Sequence, residues 1–184
     1  MRILFATGNK HKVSEANHIG LEYGVKFIQV ECPYPEVRSD SLTEVAEEGV
    51  KFVHVRIKKP VVVEDSGFFI QALDDFPGPY SAYVFGKIGN YGILKLLDDT
   101  ENRRACFRST VAYSDGETIN SFEGAVSGEI SDEPKGQEGF GYDPIFIPKG
   151  SSKTFAEDSK YKEKVSHRRK SVEKFLKWFT KENP

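Results

Sequence analysis

Cysteine is nearly absent from this chain. Cys32 and Cys106 are the only two in 184 residues, which excludes a disulfide framework and, at that spacing, a cysteine metal site. Long apolar runs are missing too. No stretch approaches the roughly eighteen consecutive apolar residues of a membrane span, so no membrane partner is expected. The N-terminus, Met1 to Phe5, enters a strand pattern at once and lacks a small-residue cleavage site, so the expected location is intracellular and cytoplasmic. Neither sign of charge dominates: 26 Lys and Arg face 28 Asp and Glu, for a net charge of −2, which argues against a nucleic-acid partner. Internal repeats, low-complexity tracts and interdomain linkers are also lacking, and the length suits one domain over residues 1–184, with room for two lobes.

Apolar residues make up 38% of the chain and charged residues 29%, a composition that folds around a core. The charges are unevenly placed. From Glu31 to Glu48 there are six acids and one base, Arg38; from Lys160 to Lys181 there are nine bases and two acids, Glu163 and Glu173. Solvated helix faces account for most such runs. Together, though, the two regions suit a site with metal ligands on one side and an anionic substrate on the other.

Read in order, residues 2–6 form a first strand, Thr7-Gly8-Asn9 a turn, and Lys10 onward a helix carrying Lys12. Backbone N–H groups at such a helix start are placed to meet an anion, with the Lys12 ammonium in reach of phosphate. The spacing is not that of a Walker loop. Residues 25–30 are a second strand. Pro33 to Glu36 is a stiff loop, and Ser41 caps a helix over 42–58. That helix leads into Val61-Val62-Val63, a β-branched run read as a strand buried on both faces. The run is followed by Glu64, Asp65, Ser66 and Gly67. Carboxylates at a strand end need a cation, and a divalent metal is the obvious one, although the same residues also make an ordinary turn. Further on come a helix over 89–98 and a hairpin over 103–113 and 117–127 turned at Ser114-Asp115-Gly116. Glu138 to Pro144 is a loop in which glycines interleave two aromatics, an arrangement suited to presenting a ring to a planar ligand. The last helix runs from about Ser166, as N-cap, to Lys181, leaving His167 and Arg168 on an exposed first turn. Arginine there calls for a nearby acceptor. Cys106 reads as a buried strand thiol.

Five pieces, in order, resemble the inosine/xanthosine triphosphate pyrophosphatase family: Thr7-Gly8-Asn9-x-x-Lys12, Glu64 to Gly67, Phe76 to Ala82, Gly139 to Pro144 and Ser166-His167-Arg168. They span residues 7 to 168. The resemblance implies an α/β fold, an elongated mixed sheet with flanking helices and two lobes around a central nucleotide-binding cleft, usually a homodimer. It implies magnesium-dependent cleavage of ITP, dITP or XTP to monophosphate and pyrophosphate. By matching positions, Asp65 would be the catalytic acceptor and a metal ligand, and Glu36 a second ligand. Thr7, Gly8, Asn9, Lys12 and Ser66 would hold phosphates; Phe140, Gly141, Tyr142, Asp143, Lys162, His167 and Arg168 would form the nucleoside pocket. Donors there, such as Lys162 and Arg168, would accept a 6-keto base and leave the 6-amino group of adenine facing other donors. The chain departs from the family pattern Glu-Asn-Ala-x-x-Lys, reading Glu48-Gly49-Val50-Lys51-Phe52-Val53. Two further readings stand beside this one: a pyrophosphatase for other modified or ordinary nucleotides, and a nucleotide-binding protein without turnover.

Overall fold

The β-branched run at Val61 sits at the middle of the sheet. The structure, a computed structural model, describes residues 1–35 and 37–182. Among them are strands β1 (Arg2–Ala6), β2 (Lys26–Val30), β3 (Val61–Ile70), β4 (Pro77–Gly78), β5 (Arg104–Ser114), β6 (Ile119–Ile130) and β7 (Phe146–Pro148). The helices are α1 (Lys10–Leu21), α2 (Leu42–Ile57), α3 (Ser81–Leu96), α4 (Ser159–Val165) and α5 (His167–Glu182). The hydrogen-bonded strand order is β2-β1-β3-β5-β6-β7, with β4 paired to β3 off this path. β1 runs parallel to both β2 and β3, with Leu4 opposite Ile28 and Val61. β6 and β7 are antiparallel. The expected mixed α/β class is what the chain adopts, and no described helix is long and apolar enough to cross a membrane.

Contacts divide the chain into two compact units. One comprises residues 1–65, 109–124 and 167–184, the other 66–108 and 125–166. The first unit is a parallel βαβ start. Ser41 caps α2 by accepting the Glu44 N–H, and α2 places Val45, Ala46, Val50 and Val53 on one buried face, as helical spacing dictates. A second core of this unit packs Phe5, Phe27, Tyr113 and Phe175 together with Ile19 and Leu176. The other unit is organised by aromatics: Phe68 lies 4.5 Å from Phe107 and 4.8 Å from Tyr142, ring centre to ring centre.

Several boundaries differ from the sequence reading. β3 does not stop at the carboxylates but continues through Glu64-Asp65-Ser66-Gly67 to Ile70. Gly67 is used there because β4 pairs closely: a Cβ at Gly67 would lie 2.6 Å from the Gly78 carbonyl oxygen. A backbone oxygen cannot swing aside as a side chain can. Gly67→Ala is therefore expected to destabilise the protein by about 1–3 kcal/mol, the usual range for overpacking, read as a lowered urea midpoint. The helix expected over 89–98 is the second part of α3, which starts at Ser81 and is broken at Gly89, where the backbone is non-helical (φ 59°). α4 adds a helix that the sequence reading did not separate, while Ser166 directly precedes α5 as expected, and Cys106 is half-buried, not buried.

Candidate functional site

The turn between β1 and α1 folds on its own polar side chains. Asn9 caps α1, its Oδ1 accepting the N–H groups of His11 (2.9 Å) and Lys12 (3.4 Å). The Thr7 hydroxyl oxygen in turn accepts the Asn9 N–H at 3.1 Å. Two of the amides expected to face an anion are thus already engaged by the cap. A Cβ at Gly8 would meet nothing within 4 Å, so the space beside the turn is open. Lys12 reaches across to β3, where its ammonium donates to the Glu64 carbonyl at 2.9 Å and pairs with Glu64 Oε2 at 2.9 Å.

Glu64 is the hub of this unit. Its side chain is 1% exposed, yet it is surrounded by donors. The Ser109 hydroxyl donates to Oε1 at 2.6 Å, and Arg168 Nε lies 3.2 Å from the same oxygen. Arg168, itself 2% exposed, also donates to Glu15 at 2.5 Å. Burial alone would push the Glu64 carboxyl up. The charges of Arg168 and Lys12, with the hydrogen bonds from Ser109 and Lys12, outweigh it and hold the group well below the usual carboxylate range. A folded-state value below the unfolded one gives stability that is complete above about pH 4.3, the unfolded glutamate value, and is lost as pH falls. The urea midpoint should therefore drop as pH is lowered below about 4. In Glu64→Gln that acid limb should be shallower; equal slopes would show that Glu64 does not govern it.

Asp65 and Ser66 follow Glu64 directly and are half-buried. Successive residues of a strand leave it on opposite faces, so the Glu64 and Asp65 carboxylates diverge. The cation demanded by the sequence at Glu64 is supplied by Lys12 and Arg168. Asp65 remains the carboxylate with access to solvent. Among the described residues there is no group of three or more His, Cys, Asp or Glu placed to hold a metal. Glu36 lies outside the described residues. The donor chemistry still fits magnesium, which takes one or two carboxylate oxygens and completes its shell with substrate phosphates and water; Asp65 has that character.

In the other unit, the loop Gly139–Asp143 is built around a buried ion pair. Asp143 Oδ2 accepts the Phe140 N–H (2.7 Å) and the Lys162 ammonium (2.7 Å). Gly139, at φ +76°, fits because a Cβ would run into the Asp143 carboxylate. The Lys162 ammonium stands 4.5 Å from the centre of the Phe140 ring, a cation–π contact. Phe140 is half-buried. Tyr142 differs from the expectation of two presented rings: its side chain is in the core, and its hydroxyl donates to the Ser81 carbonyl at 3.0 Å. Burial pushes that phenol well above its ordinary value. Gly141 has its carbonyl held by Asn90 Nδ2 at 3.2 Å.

The sequence-predicted residues therefore fall into two groups. Thr7, Gly8, Asn9, Lys12, Asp65, His167 and Arg168 belong to the first unit, and Ser66, Phe140, Gly141, Tyr142, Asp143 and Lys162 to the second. His167 and Arg168 are 4% and 2% exposed, which corrects the expectation of an exposed first turn on α5. The acceptors that Arg168 required are Glu64 and Glu15. Sequence reasoning missed Glu15 and Ser109 as functional neighbours, and it named Glu64 as a carboxylate in need of a cation without naming its partners. Glu15 had a faint signal, since it lies three residues after Lys12 on one helix face. Ser109 had none. The departure at Gly49 and Val53 has a packing reason. A Cβ at Gly49 would lie 2.6 Å from the Tyr34 ring, and Val53 is fully buried in the α2–β3 core, where a lysine would be desolvated.

Fold and polar cluster define a mixed α/β protein built on a buried carboxylate with two cationic partners. The chain belongs to the Ham1 family, whose sequence profile matches residues 3–178. It is 52% identical over 181 residues to a dITP/XTP pyrophosphatase of Methanopyrus kandleri, covering 97% of this chain and 96% of that one. With the protein of the same name from Thermococcus kodakarensis it shares 48% identity over 184 residues, covering 100% and 99%. Among solved structures, the Staphylococcus aureus Ham1 protein superimposes with a TM-score of 0.86 at 29% identity, covering 99% of this chain and 100% of that one. A HAM1 protein from Coxiella burnetii gives 0.87 at 29% identity, covering 98% and 99%.

Proposed function

We propose that this protein is a magnesium-dependent pyrophosphohydrolase that converts non-canonical purine nucleoside triphosphates (ITP, dITP and XTP) to the monophosphate and pyrophosphate. The observation that carries the reading is full-length similarity, near half identity, to relatives named dITP/XTP pyrophosphatase. Cleansing of the nucleotide pool in the cytoplasm is the corresponding role, with no nucleic-acid or membrane partner. The two units would be lobes of one catalytic domain. A homodimer is part of the proposal, supported by the exposed Tyr83, Ile88 and Tyr91 along α3.

Phosphoanhydride hydrolysis asks mainly for positioning and charge neutralisation. Asp65 would take the proton of a water attacking the α-phosphorus, as the bond to the β-phosphate oxygen breaks and pyrophosphate leaves. Lys12 and the open turn at Gly8, with Thr7, Asn9 and Ser66, would hold the phosphates. Magnesium, when bound by Asp65 and Glu36, would neutralise phosphate charge. Phe140 would stack on the base, and Lys162, fixed by Asp143, would donate to a 6-keto oxygen beside the Gly141–Tyr142 backbone. The test is product analysis with magnesium on ITP, XTP, GTP and ATP. Monophosphate plus pyrophosphate from ITP and XTP, with little from ATP or GTP, is the expected result. Orthophosphate as product would place the cleavage at another bond, and binding without turnover would make the protein a sensor.

A further inference from the structure

We propose that Glu64 is a positioning residue that joins Lys12 and Arg168 into one electrostatic unit and is not itself a ligand of the metal. The proposal rests on the reading of Lys12 as a phosphate-binding residue and deepens it. Four observations carry it. Both oxygens of the carboxylate are engaged, Oε1 by Ser109 and Arg168 and Oε2 by Lys12. The group is sealed from solvent. Its neighbour Asp65 leaves β3 on the opposite face. The donors on Oε1 are themselves held: Ser109 and Ser171 hydroxyls lie 2.9 Å apart, the Ser171 hydroxyl donates to the Arg168 carbonyl at 3.1 Å, and Glu15 holds the guanidinium.

A lysine side chain alone is a flexible stem with a point charge at its end. Here the ammonium donates to the Glu64 carbonyl at 2.9 Å and is ion-paired with Glu64 Oε2 at 2.9 Å, so its position is set before a ligand arrives. That is preorganisation: the reorientation a free lysine would undergo on meeting phosphate is already complete. Arg168, coming from a helix far along the chain, locks the carboxylate from the other side. Lys12 and Arg168 thus become energetically dependent on one another through a shared anion, the situation in which substitutions are not additive.

Calorimetric binding of inorganic pyrophosphate, with magnesium, to the full chain tests this in a double-mutant cycle. Glu64→Gln is expected to weaken pyrophosphate binding about tenfold. Adding Lys12→Met to it should weaken binding less than twofold further, although Lys12→Met alone in the wild type costs tenfold or more. Additive losses would overturn the proposal. Kinetics supply the second readout: in Glu64→Gln the kcat for ITP should fall at least thirtyfold while the magnesium concentration giving half-maximal rate stays within threefold. A tenfold shift in that concentration would make Glu64 a ligand and end the proposal. If Glu64→Gln does not fold, Ser109→Ala removes a single hydrogen bond to Oε1 and keeps the charge. It should lower kcat about fivefold at unchanged magnesium dependence, and an unchanged kcat would count against the idea. A wild-type protein that neither hydrolyses ITP nor binds pyrophosphate would instead overturn the functional reading, and the proposal with it.

Discussion

Asp65→Asn is expected to lower turnover of ITP by about a hundredfold or more while leaving the fold intact. An amide keeps the size of the side chain but carries no negative charge and accepts a proton poorly. Single groups that stabilise developing charge are worth about 3–4 kcal/mol in other enzymes, and each 1.4 kcal/mol is about tenfold in rate. Asp65 is half-buried near the middle of β3, whereas the Glu64 side chain is sealed from solvent. Pyrophosphate release under saturating ITP, read beside a far-ultraviolet circular dichroism spectrum, checks both halves. Turnover within fivefold of wild type would remove Asp65 from the proposed chemistry. Loss of the spectrum would make its role structural.

The second large effect is on stability. Arg168→Met should destabilise the protein by about 3–5 kcal/mol, the range found when one partner of a buried pair is removed. That is a large share of the roughly 5–15 kcal/mol available to a typical domain. Methionine fills much of the arginine's apolar stem, so the loss reports mainly the charge left on Glu64, whose side chain is 1% exposed. Lys12 would be its only remaining cationic partner among those described. Adding Glu64→Gln should recover at least half of the lost stability, because the stranded charge is then gone. Urea unfolding of the single and double variants measures this. A single-variant loss under about 1 kcal/mol would mean that water reaches Glu64 once the guanidinium is removed.

Periodicity made much of the fold legible, and it failed where tertiary contacts decide. The Val61–Val63 run located the central strand, and the Ser41 cap located α2. The continuation of β3 through Glu64 to Gly67 was not legible, because turn-prone residues remain extended there through pairing within the sheet, where β3 lies between β1 and β5. Tyr142 illustrates a second limit. A ring between glycines reads as displayed, whereas packing on Phe68 buries it. For the site, the linear motifs named Lys12 and Arg168 but not what unites them. Residues 15, 64, 109 and 168 converge only after folding, and Ser109 sits in a strand that looks wholly structural. The need of Arg168 for an acceptor was visible as a question; its answer lay more than a hundred residues away.

The arginine that neutralises Glu64 belongs to α5, the last helix described. During synthesis the ribosome delivers β1, α1 and β3 long before it delivers residue 168. Until then the nascent chain carries a carboxylate whose burial is only half compensated, so the first unit has reason to stay open and solvated. A product truncated anywhere upstream of α5 would share that defect. The burial of Glu64 thus waits on a residue made 104 positions later, and the first unit is complete only once α5 has packed.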